Sequence, residues 1–96
     1  MYATKALLIA NFKSDLKFAN EIMKDIYERF LFESIDIFSQ ELHNHNIYEY
    51  DMFCLIYDES ISIINFIDIA YTINELYPYS NIICINRSNH RHSLCS

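Results

Sequence analysis

MFCLIY, residues 52–57, is apolar at every position. Successive side chains of a β-strand point to opposite faces of the sheet, so a strand of this composition has to be covered on both faces. A parallel sheet with helices on both faces meets that requirement. The runs ALLIA (residues 6–10) and NIICIN (residues 81–86) have the same apolar character. We therefore predict an α/β fold on a parallel sheet, with these runs as buried strands.

The segments between these strands predict helices and one further strand. Apolar residues recur at helical spacing over residues 15–30. A second helix is predicted over residues 60–77, capped by its first residue and stopped by Pro78. ESIDIF, residues 33–38, alternates polar and apolar residues, which indicates a strand at the sheet edge, and residues 40–48 are assigned a short helix. The predicted order is β-α-β-α-β-α-β.

The composition sets limits on size, compartment and partners. The 96 residues predict one domain, residues 1–87, followed by a polar C-terminal tail, residues 88–96. A net charge of −6 and scattered basic residues argue against a nucleic-acid partner. No stretch is long enough to span a membrane. Three cysteines do not predict a disulfide framework, and we expect Cys54 and Cys84 to be buried in strands of a cytoplasmic protein.

The chain contains no glycine. Walker loops, G-x-G-x-x-G turns and nucleophile elbows all use glycine, because the backbone there takes a positive φ or approaches a phosphate closely. The sequence therefore argues against these classes of enzyme, and we predict no cofactor.

Histidines occur in two short groups. His43 and His45 lie in a polar segment that is typical of a surface turn. His90, His92 and Cys95 lie close together near the C-terminus, but a structural zinc site needs four ligands. We interpret this second group as part of a solvated tail and predict no metal site.

Three carboxylates follow predicted strands. Asp15, Asp58 and Glu59 stand near the carboxyl ends of strands, where ligand sites of α/β proteins form. Charged residues are also common in solvent-facing loops, and we favour that interpretation. No catalytic residue is predicted.

The pattern over residues 5–87 resembles the receiver domain of bacterial response regulators. KALLIANFKSDL, residues 5–16, is similar to the family's first strand and the turn that opens its first helix. YDMFCLI, residues 50–56, is similar to the third strand, which often begins with Tyr-Asp. The Pro78 break and the last strand continue the likeness. The resemblance implies a three-layer αβα sandwich of CheY/flavodoxin-like topology, with a mainly parallel four-stranded sheet in the order 2-1-3-4 that lacks the fifth strand.

The positions that carry the family's chemistry hold other residues here. The two metal-binding acidic positions fall on Asn11 and Phe12, the phosphoacceptor on Ile56, and the switch Ser/Thr on Asn86. The lysine of the fifth strand has no counterpart. Phosphoryl transfer to a receiver needs a carboxylate nucleophile and carboxylates that hold Mg²⁺. The resemblance therefore implies a degenerate, truncated receiver, a pseudo-receiver that is not an enzyme.

The helix at residues 60–77 is more apolar than one sheet face requires, because its polar residues form a stripe of only about 140°. Without a fifth strand, residues 81–86 would be an apolar sheet edge of a kind that proteins usually avoid. Both features predict an interface, with a homodimer as the simplest case. The alternatives are that neighbouring elements of the same domain flank the helix and that the tail folds back over the edge. The residues expected at this interface are Ile64, Ile67, Tyr71, Ile83 and Ile85.

Three functions remain open from the sequence. The favoured one is a non-catalytic regulatory module that works by protein–protein contact, independently of phosphorylation. The alternative is a small inhibitor of a host protein, encoded by a phage or mobile element, to which the small size and acidity are suited. An enzyme or ligand-binding flavodoxin-like domain ranks last, because the absence of glycine argues against phosphate binding.

Overall fold

The computed structural model describes residues 4–26 and 28–87. Four parallel strands form one sheet in the order β2-β1-β3-β4. The elements in chain order are β1 (Lys5–Ile9), α1 (Lys13–Ile22), β2 (Glu28–Phe32), α2 (Ile35–His43), β3 (Met52–Tyr57), α3 (Ile63–Leu76) and β4 (Asn81–Asn86).

Two apolar clusters sandwich the central strands. On one face, Leu7 of β1 and Leu55 of β3 pack with buried residues of α2 and α3. On the other face, Leu8 and Cys54 pack with buried residues of α1. Alternate side chains of the same two strands thus enter different cores, as expected of parallel strands covered on both faces. The predicted αβα sandwich with strand order 2-1-3-4 is confirmed.

The first helix is shorter than predicted. It ends at Ile22 rather than near residue 30, and β2 follows at Glu28–Phe32. Arg29 explains the early end, because its guanidinium donates hydrogen bonds to the carbonyls of Met23 and Lys24, at 3.3 Å and 2.9 Å. The last carbonyls of a helix have no amide of a following turn to bond to. An arginine side chain that donates to them takes the place of those missing amides.

The predicted strand at residues 33–38 is wrong, because this segment begins α2. The Ser34 side chain accepts a hydrogen bond from the Ile37 amide at 3.2 Å and caps the helix. Phe38 and Leu42 lie on the buried face of α2, whereas Ile37 is exposed. The alternation that indicated a strand is therefore the first turn of an amphipathic helix, and the predicted helix at 40–48 starts earlier, at Ile35.

The C-terminal half agrees closely with the prediction. β3 and β4 occupy residues 52–57 and 81–86, as the apolar runs indicated. The helix between them begins three residues later than predicted, at Ile63, because Ser62 provides the cap instead of Ser60. It ends at Leu76, before Pro78.

The turn that ends α2 contains a residue with left-handed backbone conformation, although the chain has no glycine. His45 has φ 59°, the only positive φ among the described residues. Its amide donates to the Leu42 carbonyl at 3.1 Å, and the Asn46 amide donates to the Glu41 carbonyl at 2.8 Å. These two bonds define a Schellman motif, in which glycine is the usual residue at the left-handed position.

We predict that His45→Gly stabilises the protein. A side chain with a Cβ in the left-handed region costs about 1 kcal/mol relative to glycine. In a domain of this size that gain raises the thermal midpoint by about 4–8 °C, measurable by calorimetry. Asn44→Gly is the matched control, because Asn44 has φ −86° and gains nothing from glycine. An unchanged or lower midpoint for His45→Gly would contradict the prediction.

Candidate functional site

The carboxyl edge of the sheet is where a ligand site would form in a fold of this topology, since the loops that follow the strands meet there. The four positions that the sequence resemblance assigns to a receiver site lie at or near this edge. Asn11 lies between β1 and α1, and the partly exposed Phe12 is the N-cap residue of α1. Ile56 is fully buried against the α1 side of the sheet, and Asn86 ends β4. The position that the resemblance assigns to the phosphoacceptor is thus part of the core.

Asn11 connects three loops at this edge. Its side-chain oxygen accepts a hydrogen bond from the Ile35 amide at 2.8 Å, at the start of α2. Its side-chain nitrogen donates to the Ser60 hydroxyl at 3.1 Å, in the loop after β3. The amide side chain thus joins the loops after β1, β2 and β3. A carboxylate at this position could accept from Ile35 but could not donate to Ser60.

Asp58 is fully buried, although the sequence predicted a solvent-facing residue. It follows β3 directly, and its Oδ1 accepts a hydrogen bond from the Ser60 amide at 2.7 Å. The Asp58 carbonyl accepts from the Ile61 amide at 3.1 Å. Asp58 therefore shapes the loop between β3 and α3 from inside. Its Oδ2 has no hydrogen-bond partner among the described residues.

Asp15 is also fully buried, which again corrects the prediction of a solvent-facing carboxylate. Its Oδ1 lies 3.2 Å from Nε of Arg87, the residue after β4. The Arg87 guanidinium carbon lies 3.9 Å from the centre of the Phe18 ring, and the Arg87 amide donates to the Tyr57 carbonyl at 2.9 Å. Arg87 thereby fixes the end of β4 to α1 and to β3. Ion pairing and stacking on an aromatic face are both typical of arginine.

The chemistry available at this edge is limited. No group of three or more His, Cys, Asp or Glu side chains in the described part of the chain could hold a metal ion. Cys54 is buried in β3, and this burial raises the pKa of its thiol to about 11, so the thiol stays protonated at neutral pH. A protonated, inaccessible thiol is not a nucleophile. Glu59 is exposed, and His43 and His45 lie on α2 and the turn after it.

A second candidate site lies on α3 and at the edge of β4. Ile64 and Tyr71 of α3 are 76% and 65% exposed, and Ile63 and Ile67 are more than half exposed. Cys84 of β4 is also exposed, which corrects the prediction that it is buried. We call these five residues the α3–β4 surface. A groove of about 150 Å³ between α3 and β4 is lined in part by Ile63, Phe66 and Cys84.

Two of the expected interface residues have a different environment. Ile83 and Ile85 are partly buried and pack against the cluster on the α1 side of the sheet. They therefore lie on the face opposite α3, whereas Ile64, Ile67 and Tyr71 lie on α3 itself. The narrow polar stripe of α3 indicated that apolar side chains of this helix are exposed, but no local pattern showed that Arg87 pairs with Asp15 or that Asp58 is buried.

No family model, curated protein or solved structure matches this chain. No helix in residues 4–26 and 28–87 is both long and apolar enough to cross a membrane. The predicted tail, residues 88–96, with His90, His92 and Cys95, lies outside the described residues.

We predict that Arg87→Met destabilises the protein by about 3 kcal/mol, because it removes the described cationic partner of a buried carboxylate. The free energy of unfolding in urea measures this loss. Lys17→Met is the matched control, since Lys17 is an exposed cation of α1, and we expect it to change stability by less than about 0.5 kcal/mol.

The double variant Asp15→Asn/Arg87→Met separates the ion pair from the packing of Arg87. The loss in the double variant should be clearly smaller than the sum of the two single losses, because the two side chains interact directly. Additive losses would mean that the ion pair does not stabilise the fold.

Proposed function

We infer that the protein is a non-catalytic, receiver-like regulatory module that acts by protein–protein contact through the α3–β4 surface, independently of phosphorylation. The observation that carries this inference is the exposed apolar stripe of α3 beside a sheet edge that has no partner strand in the described residues. A cytoplasmic location agrees with an odd number of cysteines. The acidic net charge of −6 speaks against nucleic acid as the partner.

The carboxyl edge supports a non-catalytic role. Receivers take a phosphoryl group on a carboxylate at this edge, and Mg²⁺ bound by neighbouring carboxylates offsets the charge. Here the position that the resemblance assigns to the acceptor holds Ile56, and the Asn11 side chain is bonded to two neighbouring loops. The Asp15 and Asp58 carboxylates are buried and bonded within the protein. These side chains hold the loops in place.

The α3–β4 surface supports a role in association. Fully burying an isoleucine side chain contributes about 1.5–3 kcal/mol relative to leaving it in water. Three isoleucines and a tyrosine of α3 are more than half exposed. Their burial in a complex would offset much of the entropy that association costs. A second copy of the chain is the simplest partner.

We predict that the wild-type chain has a solution mass above the 11.5 kDa of one chain, and that Ile64→Lys/Ile67→Lys lowers it to that of the monomer. Two lysines on the stripe would have to be desolvated in any complex. Light scattering gives the mass and circular dichroism confirms that the variant is folded. Ile37→Lys is the matched control, because Ile37 of α2 is 54% exposed but lies outside the α3–β4 surface. Equal masses for the wild type and the α3 variant would contradict self-association through α3.

We also predict that acetyl phosphate and Mg²⁺ leave the intact mass of the protein unchanged, because no accessible carboxylate replaces Ile56 at the acceptor position. An active receiver treated in parallel is the positive control. Addition of a phosphoryl group to Asp58, the only described carboxyl directly after β3, would overturn the non-catalytic assignment.

A further inference from the structure

We propose that the partner at the α3–β4 surface is a second copy of this chain, joined by antiparallel pairing of the two β4 strands around a two-fold axis beside Cys84. The proposal rests on the inferred role of that surface as an interface. It adds the identity of the partner, the direction of the strands and their register.

The hydrogen bonds of β4 show which backbone groups are directed outward. The Asn81 amide donates to the Asp51 carbonyl and the Arg87 amide to the Tyr57 carbonyl, both at 2.9 Å. In a parallel ladder every second residue directs its N–H and C=O toward the same neighbour. Ile82 and Cys84 therefore direct theirs away from β3. No strand in the described part of the chain pairs with this side of β4.

The length of the ladder determines the register. It extends from the Asn81 amide to the Arg87 amide, so its midpoint is Cys84. A two-fold axis normal to the sheet at that point gives the longest overlap of two antiparallel copies. It places Cys84 opposite Cys84 of the second copy as a hydrogen-bonded pair, and Ile83 opposite the second Ile85. Side chains of opposed residues lie on the same face, as antiparallel pairing requires.

Two exposed isoleucines of α3 lie on the flank that this arrangement would cover. His43 of α2 lies 3.8 Å from Asp68 of α3, so Asp68 is on the side of α3 that is turned toward α2. At about 100° per residue, Ile67 and Ile63 lie about 100° and 140° around the helix from Asp68, on the flank away from α2. By contrast, Ile64 and Tyr71 lie within about 60° of Asp68 and face solvent. Ile63 also lines the groove with Cys84. Ile63 and Ile67 therefore face outward over the edge of β4.

The spacing of the layers allows the two α3 helices to meet. The Phe66 ring lies 5.2 Å from the Tyr57 ring of β3, and Phe66 also lines the groove beside Cys84 of β4, so α3 lies over both strands. With strands about 4.8 Å apart, the axis places the two α3 helices about 10 Å apart on the same face of the sheet. This separation is at the upper end of the usual range for packed helices.

The charge distribution makes this surface the most favourable place for two copies of the chain to meet. Two chains of net charge −6 repel each other, and acidic groups inside their contact would add to that repulsion at close range. No Asp, Glu, Lys or Arg occurs among residues 81–86 or among the five residues of the α3–β4 surface. Asp68 lies on the flank of α3 that is turned toward α2, away from the axis.

The test uses the full chain with Cys95→Ser, so that Cys84 is the accessible thiol of the described structure. A hydrogen-bonded antiparallel pair has a Cα separation of about 5.5 Å, which a disulfide can span. Mild oxidation with copper–phenanthroline should convert most of the chain to a disulfide-linked dimer on a non-reducing gel. Lys17→Cys/Cys84→Ser/Cys95→Ser is the matched control, because it has an exposed thiol on α1 and should stay monomeric.

The register is tested with two further chains in the Cys84→Ser/Cys95→Ser background. Ile82→Cys and Asn86→Cys should each fail to cross-link alone, because equivalent residues then lie four positions apart in the antiparallel ladder. The two chains should cross-link when they are mixed, because residues 82 and 86 are opposed. Cross-linking of either chain alone would overturn the register.

The outcomes separate this proposal from the proposed function. If Ile64→Lys/Ile67→Lys lowers the mass but neither the Cys84 chain nor the mixture cross-links, the strand pairing is wrong and the contact through α3 stands.

A monomeric wild type in which Cys84 resists iodoacetamide would mean that residues 88–96 cover the edge, and would overturn the proposal. A monomer whose Cys84 reacts fast would overturn self-association and leave a different protein as the partner.

Discussion

Burial of β3 on both faces is the constraint on which the rest of the structure depends. Four of its residues, Phe53–Ile56, are fully buried, and they alternate between the two apolar clusters. Each cluster needs its own layer of helices, α1 on one side and α2 with α3 on the other. The strands are parallel, so each connection runs back along one face of the sheet to the start of the next strand, and these connections contain the helices of the two layers. The same connections bring the loops after the strands together at one edge.

Polar side chains at that edge bond to one another and to the backbone. Asn11 links the loops before α1, α2 and α3, while Arg87 joins the end of β4 to α1. In an α/β protein that binds ligands, such groups would be directed into the crevice between diverging loops. Here they stabilise the scaffold, and the exposed apolar side chains lie on α3. The polar groups of the carboxyl edge are thus bonded within the protein, while apolar side chains are exposed on α3.

Local patterns in the sequence predict the strands of this fold, but they do not predict the contacts between distant residues. β3 and β4 were predicted to the residue, because polar residues bound each apolar run. Residues 33–38 were assigned wrongly, because Ile35 and Ile37 alternate like a strand, while Ile35, Phe38 and Leu42 also fit one helix face. Burial of Asp15 depends on Arg87, 72 residues away, and no local pattern contains that information. Cys84 is exposed because β4 is an edge strand. The sequence does not show this, since the apolar run of an edge strand looks like that of a central strand.

The opposite edge of the sheet has a different consequence. Phe30 and Leu31 of the edge strand β2 are exposed. An exposed apolar edge strand can pair with a strand of another copy and so start aggregation or fibril formation. Glu28 and Arg29 place charges on the same strand, a feature by which proteins disfavour the addition of further strands at an edge. Arg29 also bonds to the carbonyls that follow α1. One side chain therefore ends a helix and carries a charge on the exposed edge strand, so we expect its loss to weaken the fold and to favour aggregation.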